Sequence, residues 1–183
     1  MKVLAVVLLM VVLSIGANLA MAADPPDDTA TALVQCTVDG IIEWAAAANF
    51  ATIAIPAITD QATKRSNFSS LVLYTNGNVH ITADLTTEPN VAQLKTASGD
   101  TLVTEYKLEY DGDGSTTGTG GATVDWTDWT TFLGTGSLVT HVSLDGAVSV
   151  KLSAQAYNDT GNVADAGLYE ATQTLTASWG DPP

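Results

Sequence analysis

Basic residues and cysteine are scarce in this sequence, and each shortage excludes something. Lys and Arg number six against 20 Asp and Glu, so the formal net charge of the 183 residues is −14. Such a surface repels nucleic acid phosphates and anionic lipid headgroups, and it attracts cations or basic partners. We therefore exclude nucleic acid as a partner. The single cysteine, Cys36, allows no internal disulfide, so stability has to come from the core or from partners.

Catalytic motifs are also lacking. The chain has two histidines, neither has a metal-ligand partner four residues further on, and the sequence contains no Gly-x-Ser-x-Gly elbow and no His-Glu-x-x-His pair. Glu105 and Glu109 flank Lys107 on one strand face, as solvated charges do. With Asp128, these carboxylates are the groups on which a hydrolase would depend. We expect a protein that is not an enzyme.

A long apolar run occurs only at the N-terminus. A positive start, the apolar residues 3–15 and the small-x-small sequence Ala20-Met21-Ala22 predict a signal peptide over residues 1–22. A retained anchor is the alternative, but the run is short for a membrane span and acidic residues follow it. After cleavage we expect no membrane span and a location outside the cell or at its surface, with the periplasm as the alternative.

The mature chain has the length of one domain. Residues 23–30 are acidic and contain proline, which predicts a flexible segment, and residues 31–183 are enough for a single core. Cys36 is in phase with the apolar residues Ala32 and Val34, which indicates a small buried side chain. An intermolecular disulfide is the alternative for this cysteine.

Apolar and polar residues alternate along the mature chain with the period of a strand that has one buried face. In residues 147–157, for example, Val148, Val150 and Leu152 alternate with polar residues. The pattern predicts strands near residues 31–38, 41–45, 51–58, 69–75, 78–86, 101–110, 122–133, 137–144, 147–157 and 168–178.

Three dipeptides between these runs are typical of tight hairpin turns. Asn76-Gly77, Asp145-Gly146 and Asp39-Gly40 each tolerate the positive φ angles of a type I′ turn, so we expect each to join the two runs beside it. Eight to ten short strands with turns between them predict an all-β fold, a single antiparallel β-sandwich of two sheets. A closed barrel is the alternative.

A calcium site is suggested by the loop Asp111-Gly112-Asp113-Gly114-Ser115. Oxygen ligands at Asp111, Asp113 and Ser115 alternate with glycines, which lets a loop curl around a hard cation such as Ca²⁺. The loop lacks the third acidic position and the distant Glu of an EF-hand, and a solvated acidic turn is the alternative. We expect no other cofactor.

Two tryptophans form a candidate glycan site. Trp126 and Trp129 lie three residues apart after the Gly-rich stretch, and exposed indoles stack on sugar rings. The alternative is that one indole lies in the core and the other covers its edge.

The segment from Asp165 to Ser178 resembles two kinds of protein. Asp165-Ala166-Gly167-Leu168-Tyr169-Glu170-Ala171 is similar to the tyrosine-corner signature of immunoglobulin-like domains, with Ala171 where that signature has Cys. With the Thr-rich run that follows, it also resembles the closing strand of secreted prokaryotic β-sandwich subunits of fimbriae and biofilm filaments. The resemblance implies an immunoglobulin-like or jelly-roll-like sandwich and a structural subunit whose sheet edges are paired by another chain.

These observations favour a secreted structural or filament-type surface subunit that associates with itself or with another surface protein. An exposed strand edge binds a neighbour's extended segment by strand addition, and the stretch from Ala23 to Val38 is the candidate donor. The alternative function is a calcium-assisted module for carbohydrate binding and adhesion, with a glycan as the partner.

Overall fold

The computed structural model describes residues 28–45, 49–83, 91–112, 120–121, 123–141 and 146–180. The chain divides into two compact units, Met1–Thr37 and Val38–Pro183. In the first unit, the described residues 28–37 form no strand and all their side chains are exposed. The strand predicted over residues 31–38 is therefore wrong, because alternation alone supplies no neighbouring strand to pair with. Cys36, expected to be buried, has an exposed free thiol.

All strands of the described residues lie in the second unit. They are β1 (Ile42–Trp44), β2 (Arg65–Thr75), β3 (Val79–Ala83), β4 (Val103–Gly112), β5 (Gly120–Gly121), β6 (Val124–Asp128), β7 (Ser137–Thr140), β8 (Ala147–Tyr157) and β9 (Leu175–Trp179). The described part of the chain holds no apolar helix of bilayer-spanning length.

The strands form two antiparallel sheets. The large sheet has the order β1-β2-β8-β4-β6, and the small sheet has the order β5-β7-β3-β9. Neither sheet closes on itself. The predicted all-β fold of two antiparallel sheets is confirmed, and so is the alternation over residues 147–157, which form β8.

The core lies between the two sheets and consists of the inward-facing apolar residues of both. The large sheet contributes side chains such as Leu73, Leu108 and Val150, and the small sheet contributes Ile81 and Val139, all of which have 0% of their surface exposed. Burying each such side chain contributes about 1.5–3 kcal/mol to folding. The apolar residues of the alternating pattern thus form the faces with which the two sheets pack on each other.

The three Gly-containing dipeptides do not form the predicted hairpins. Asn76-Gly77 joins β2 to β3, which belong to different sheets. Gly146 lies before β8 of the large sheet, whereas the preceding β7 belongs to the small sheet; Asp145 lies outside the described residues. Asp39-Gly40 follows residues that form no strand. These connections carry the chain between sheets, and the hairpin predictions are wrong.

Close packing explains the glycines at two of these positions. Neither Gly77 nor Gly146 has the positive φ of a type I′ turn. A Cβ atom on Gly77 would lie 2.6 Å from the Trp179 ring, and one on Gly146 would lie 2.1 Å from the Thr75 carbonyl oxygen. In these short connections between the two sheets, the backbone lies very close to another part of the chain. Glycine fits there because it has no Cβ atom.

Three other predicted strands are absent or shorter than expected. Residues 51–58 form no strand, and only Leu175–Trp179 of the segment 168–178 is a strand. The strand predicted over 122–133 ends at Asp128, whose side chain accepts a hydrogen bond from the Thr130 N–H (2.9 Å) and begins a turn. Alternating burial in these segments does not suffice for a strand, because a strand also needs a partner for its backbone groups.

The two sheets differ in length, and this difference positions the site. β2 and β8 each have 11 residues, whereas β3 and β9 have five and β7 has four. Short strands cover only part of a long sheet, so the remaining inner face of β2, β8 and β4 is left to segments that are not strands.

Candidate functional site

A groove of about 1180 Å³ lies on the part of the large sheet that the small sheet leaves uncovered. We call the strand residues beneath it the floor, residues 49–61 the first wall and residues 163–175 the second wall. Pockets for drug-sized molecules have volumes of about 300–1,000 Å³, so the groove is large enough for a longer ligand.

The floor is apolar and rigid. It is formed by buried side chains of β2, β4 and β8, namely Leu71, Tyr106, Leu152, Ala154 and Ala156. The Tyr106 hydroxyl donates a hydrogen bond to the Ala92 carbonyl (2.6 Å), and burial raises the pKa of Tyr106 well above its usual value. These side chains are only 1–9% exposed, so the accessible lining of the groove belongs mostly to the two walls.

The second wall continues β9 as an extended segment. From Tyr169 to Trp179 every second side chain is half-buried and the others are exposed. The start of the segment is held by the Tyr169 hydroxyl, which donates to the Asp165 carbonyl (2.8 Å), the kind of backbone contact that a tyrosine corner makes. The Glu170 N–H donates to the Lys95 carbonyl (2.9 Å) and the Thr172 N–H to the Val91 carbonyl.

The other edge of this wall has no strand beside it in the described part of the chain. Successive residues of an extended chain direct their backbone groups to opposite sides, so Ala171 and Gln173 direct theirs away from Lys95 and Val91. Gln173 also has a buried side-chain oxygen, Oε1, with no hydrogen-bond partner among the described residues. A buried polar atom of this kind usually marks a missing partner.

The first wall has half-buried isoleucines. Ile53 and Ile55 pack against the core cluster, and the residues between and beside them are exposed, as in an extended chain. The Asn67 side chain donates to the Ala54 carbonyl (2.8 Å) and thereby fixes the wall to β2. No backbone-to-backbone hydrogen bond involves residues 51–59 within the described ranges. The groove is therefore bordered on both sides by backbone that has hydrogen-bonding capacity to spare, although Pro56 has no N–H and the Ala54 carbonyl is already used.

Asn158 ties the two walls together at one end of the groove. Its side chain is 9% exposed. Its Nδ2 atom donates to the Asp60 carbonyl of the first wall (3.3 Å), and its Oδ1 atom accepts from the Ala164 N–H of the second wall (2.9 Å). The spacing of the walls at this end therefore depends on one buried side chain.

The two tryptophans of the candidate glycan site have different surroundings. Trp129 is half-buried and packs against the core cluster. Trp126 lies in β6 at a bulge, where one extra residue is inserted opposite β4, and it is not among the side chains that pack on the core. Because a bulge redirects side chains, Trp126 lies on the side of the sheet away from the core. Trp126 is half-buried like Trp129, and the glycan site stays a prediction.

The candidate calcium loop falls largely outside the described residues. Asp113 and Ser115 lie there, and Asp111 belongs to the end of β4. Elsewhere in the described chain, no group of three or more His, Cys, Asp or Glu side chains is placed to hold a metal ion.

The three carboxylates that a hydrolase would use have separate structural roles. Burial alone would raise the pKa of Glu105, but hydrogen bonds from Tyr157 (2.8 Å), Lys64 (3.2 Å) and Gln155 (2.6 Å) together lower it. Two lysines hold Glu109, whose pKa is lowered by their hydrogen bonds. Asp128 caps the turn after β6. Glu105 lies opposite Asp128 in the pairing of β4 with β6, and each of the three carboxylates has structural hydrogen-bond partners.

No family model, curated protein or solved structure matches this chain.

The groove was not predicted from the sequence, although the sequence pattern of its walls gave some indication of it. Each wall overlaps a segment whose alternation predicts a strand. A predicted strand that has no partner strand indicates an open sheet edge.

Proposed function

We propose that the chain is an exported structural subunit that assembles with copies of itself into a surface filament. In this proposal, residues 28–38 of one copy, which we call the arm, bind in the groove of the next copy as an added strand. The observation that carries it is the groove, which has apolar side chains in its lining and walls that are only partly hydrogen-bonded to the rest of the described chain. An added strand would contact the apolar lining with its side chains and form hydrogen bonds to the walls with its backbone.

The arm has the properties of a donor. Leu33 is 83% exposed, Val34 is 88% exposed and Val38 is 72% exposed. A run of large apolar side chains in water is unfavourable, and such exposed segments often mark interaction sites. Burial of Val34 and Val38 stabilises an assembly by about 1.5–3 kcal/mol each, and every backbone hydrogen bond along the walls adds about 0.5–1.5 kcal/mol.

Charge is consistent with directional assembly. Two copies of the mature chain, each with 20 acidic residues and five basic residues once Lys2 is removed, repel one another, so random sticking is disfavoured. From residue 29 to residue 38 the arm has no charged side chain, so its insertion brings no new charge into the groove. The same groove would suit a lipid tail less well, because a lipid leaves the wall N–H and C=O groups without partners.

The test is the assembly state of the mature chain, residues 23–183. We expect higher-order species in light scattering and filaments in electron microscopy. The double variant Val34→Asp/Val38→Asp should weaken association by at least about a hundredfold, because it removes about 3–6 kcal/mol of apolar burial. Leu138→Asp, an equally polar change at an exposed position of β7, is the matched control and should assemble normally.

A second variant tests the groove itself. Ala171→Asp places a charge in the second wall, whereas Thr176→Asp places it on an exposed position of β9 outside the groove. The first should stop assembly and the second should not. A mature chain that stays monomeric at high concentration, with or without calcium, contradicts the proposal.

Glycan binding is the second candidate, and the position of Trp126 is the observation that favours it. Trp126 is half-buried beside a bulge and outside the core cluster, so part of its indole is available for stacking on a sugar ring. Binding to a glycan array that disappears in Trp126→Ala and persists in Trp129→Ala would support this candidate, whereas a blank array would remove it.

A further inference from the structure

The arm has two faces of different character. From residue 30 onward the even-numbered positions are all apolar, and they are Ala30, Ala32, Val34, Cys36 and Val38. Odd-numbered positions are polar except for Leu33, and they are Thr29, Thr31, Gln35 and Thr37. In an extended chain these sets point to opposite sides, which is the pattern of a strand with one buried face.

The apolar face of the arm is exposed in the structure. Val34 and Cys36 are both exposed in the described arm. A buried-face pattern on an exposed segment indicates that the covering surface belongs to another molecule. The groove offers such a surface, since Val163 and Leu168 of its second wall are 70% and 75% exposed.

The lengths also correspond. Residues 30–38 are nine residues, which span about 30 Å as a strand. The unpaired stretch 51–59 of the first wall is equally long. A strand lying along this wall has its alternate side chains directed at the floor for the whole length of the apolar face.

Resting on the proposed function, we infer that the neighbour's arm enters the groove with its even-numbered residues on the floor, so that Cys36 is buried between two copies. Val34 and Val38 point into the groove on either side of Cys36 and pack against its apolar walls, and Gln35 and Thr37 face solvent. A donor N–H of the inserted strand supplies the hydrogen bond that Gln173 Oε1 lacks. Assembly and access to the Cys36 thiol therefore exclude each other.

Carboxymethylation provides the test on the full mature chain. The Cys36 thiolate displaces iodide from iodoacetate, its proton having passed to the buffer, and the sulfur then carries a carboxylate. Burying that charge without a partner is unfavourable, so we expect the modified chain to associate at least about tenfold more weakly. In material that has already assembled, the thiol should react at least about tenfold more slowly than in the free chain.

The neighbouring residue is a matched control for the register. The variant Gln35→Cys/Cys36→Ser moves the thiol by one position to the opposite face. After carboxymethylation it should still assemble, and its thiol should remain reactive in the assembly. Cys36→Ser alone should assemble and be insensitive to iodoacetate.

The outcomes separate this inference from the function on which it rests. Unmodified chain that does not assemble contradicts the proposed function. Unmodified chain that assembles, while Cys36 remains reactive or while both modified chains behave alike, overturns the register and leaves the function standing. Assembly blocked only by the modification at position 35 assigns the opposite face to the floor.

Discussion

Removing the side chain of Asn158 should destabilise the domain by about 2 kcal/mol. The structure gives this side chain two hydrogen bonds, one to the Asp60 carbonyl (3.3 Å) and one from the Ala164 N–H (2.9 Å). Each is worth about 0.5–1.5 kcal/mol, and both partners lie close enough to solvent to be satisfied partly by water after the change to Ala. For a domain of this size the loss corresponds to a fall in Tm of about 4–8 °C.

Asn158→Asp separates the two bonds. It keeps the oxygen that accepts from Ala164 but places a buried carboxylate against the Asp60 carbonyl oxygen, so we expect a larger destabilisation at pH 7 than for Asn158→Ala. Asn162→Ala, at an exposed position a few residues further along, is the control and should change stability by less than about 0.5 kcal/mol.

Urea unfolding of the three variants measures these differences, and amide hydrogen exchange locates them. Faster exchange in residues 49–61 and 163–175, with β2 and β8 unchanged, is expected because Asn158 joins the two walls. An Asn158→Ala chain as stable as the unchanged protein would refute the reasoning, since it would show that the walls are held in place by other contacts.

Two further predictions concern stability. Glu105 has a lowered pKa in the folded chain, so its contribution is present above the unfolded value of about 4.3 and is lost as the pH falls through the folded pKa. Glu105→Gln should therefore cost about 1.5–3 kcal/mol in urea unfolding at pH 7 and much less at pH 3, and an equal cost at both would contradict this. Gly146→Ala should cost about 1–3 kcal/mol, because its Cβ would lie 2.1 Å from the Thr75 carbonyl oxygen. Gly167→Ala, whose Cβ meets only an ordinary contact, is the control, and equal thermal stability of the two would disprove the explanation.

The sequence predicted strands correctly where an alternating segment has a partner strand beside it. The run over residues 147–157 became the central strand β8, because both of its neighbours, β2 and β4, are long enough to pair with its whole length. The same alternation failed over 51–58, where no partner lies beside the chain in the described residues. Alternation reports on which face is apolar, whereas a strand also requires a neighbour.

The turn dipeptides show a second limit. Gly77 was assigned to a hairpin because Asn-Gly favours positive φ, but here the glycine makes room for the Trp179 ring. Local preference indicates that the chain turns at this point, and the direction of the turn depends on distant residues. The candidate calcium loop stays a prediction, and so do the signal peptide and export.

By itself, the sequence determined that the chain is all-β, that the arm has one apolar face and that charge of one sign dominates the surface. These properties depend on the order and kind of neighbouring residues. Only the tertiary structure decided that the arm is exposed, that Trp126 and Trp129 have different surroundings and that a groove remains beside β9. Those features depend on which distant segments lie side by side, because burial and strand pairing are contacts between residues far apart in the chain.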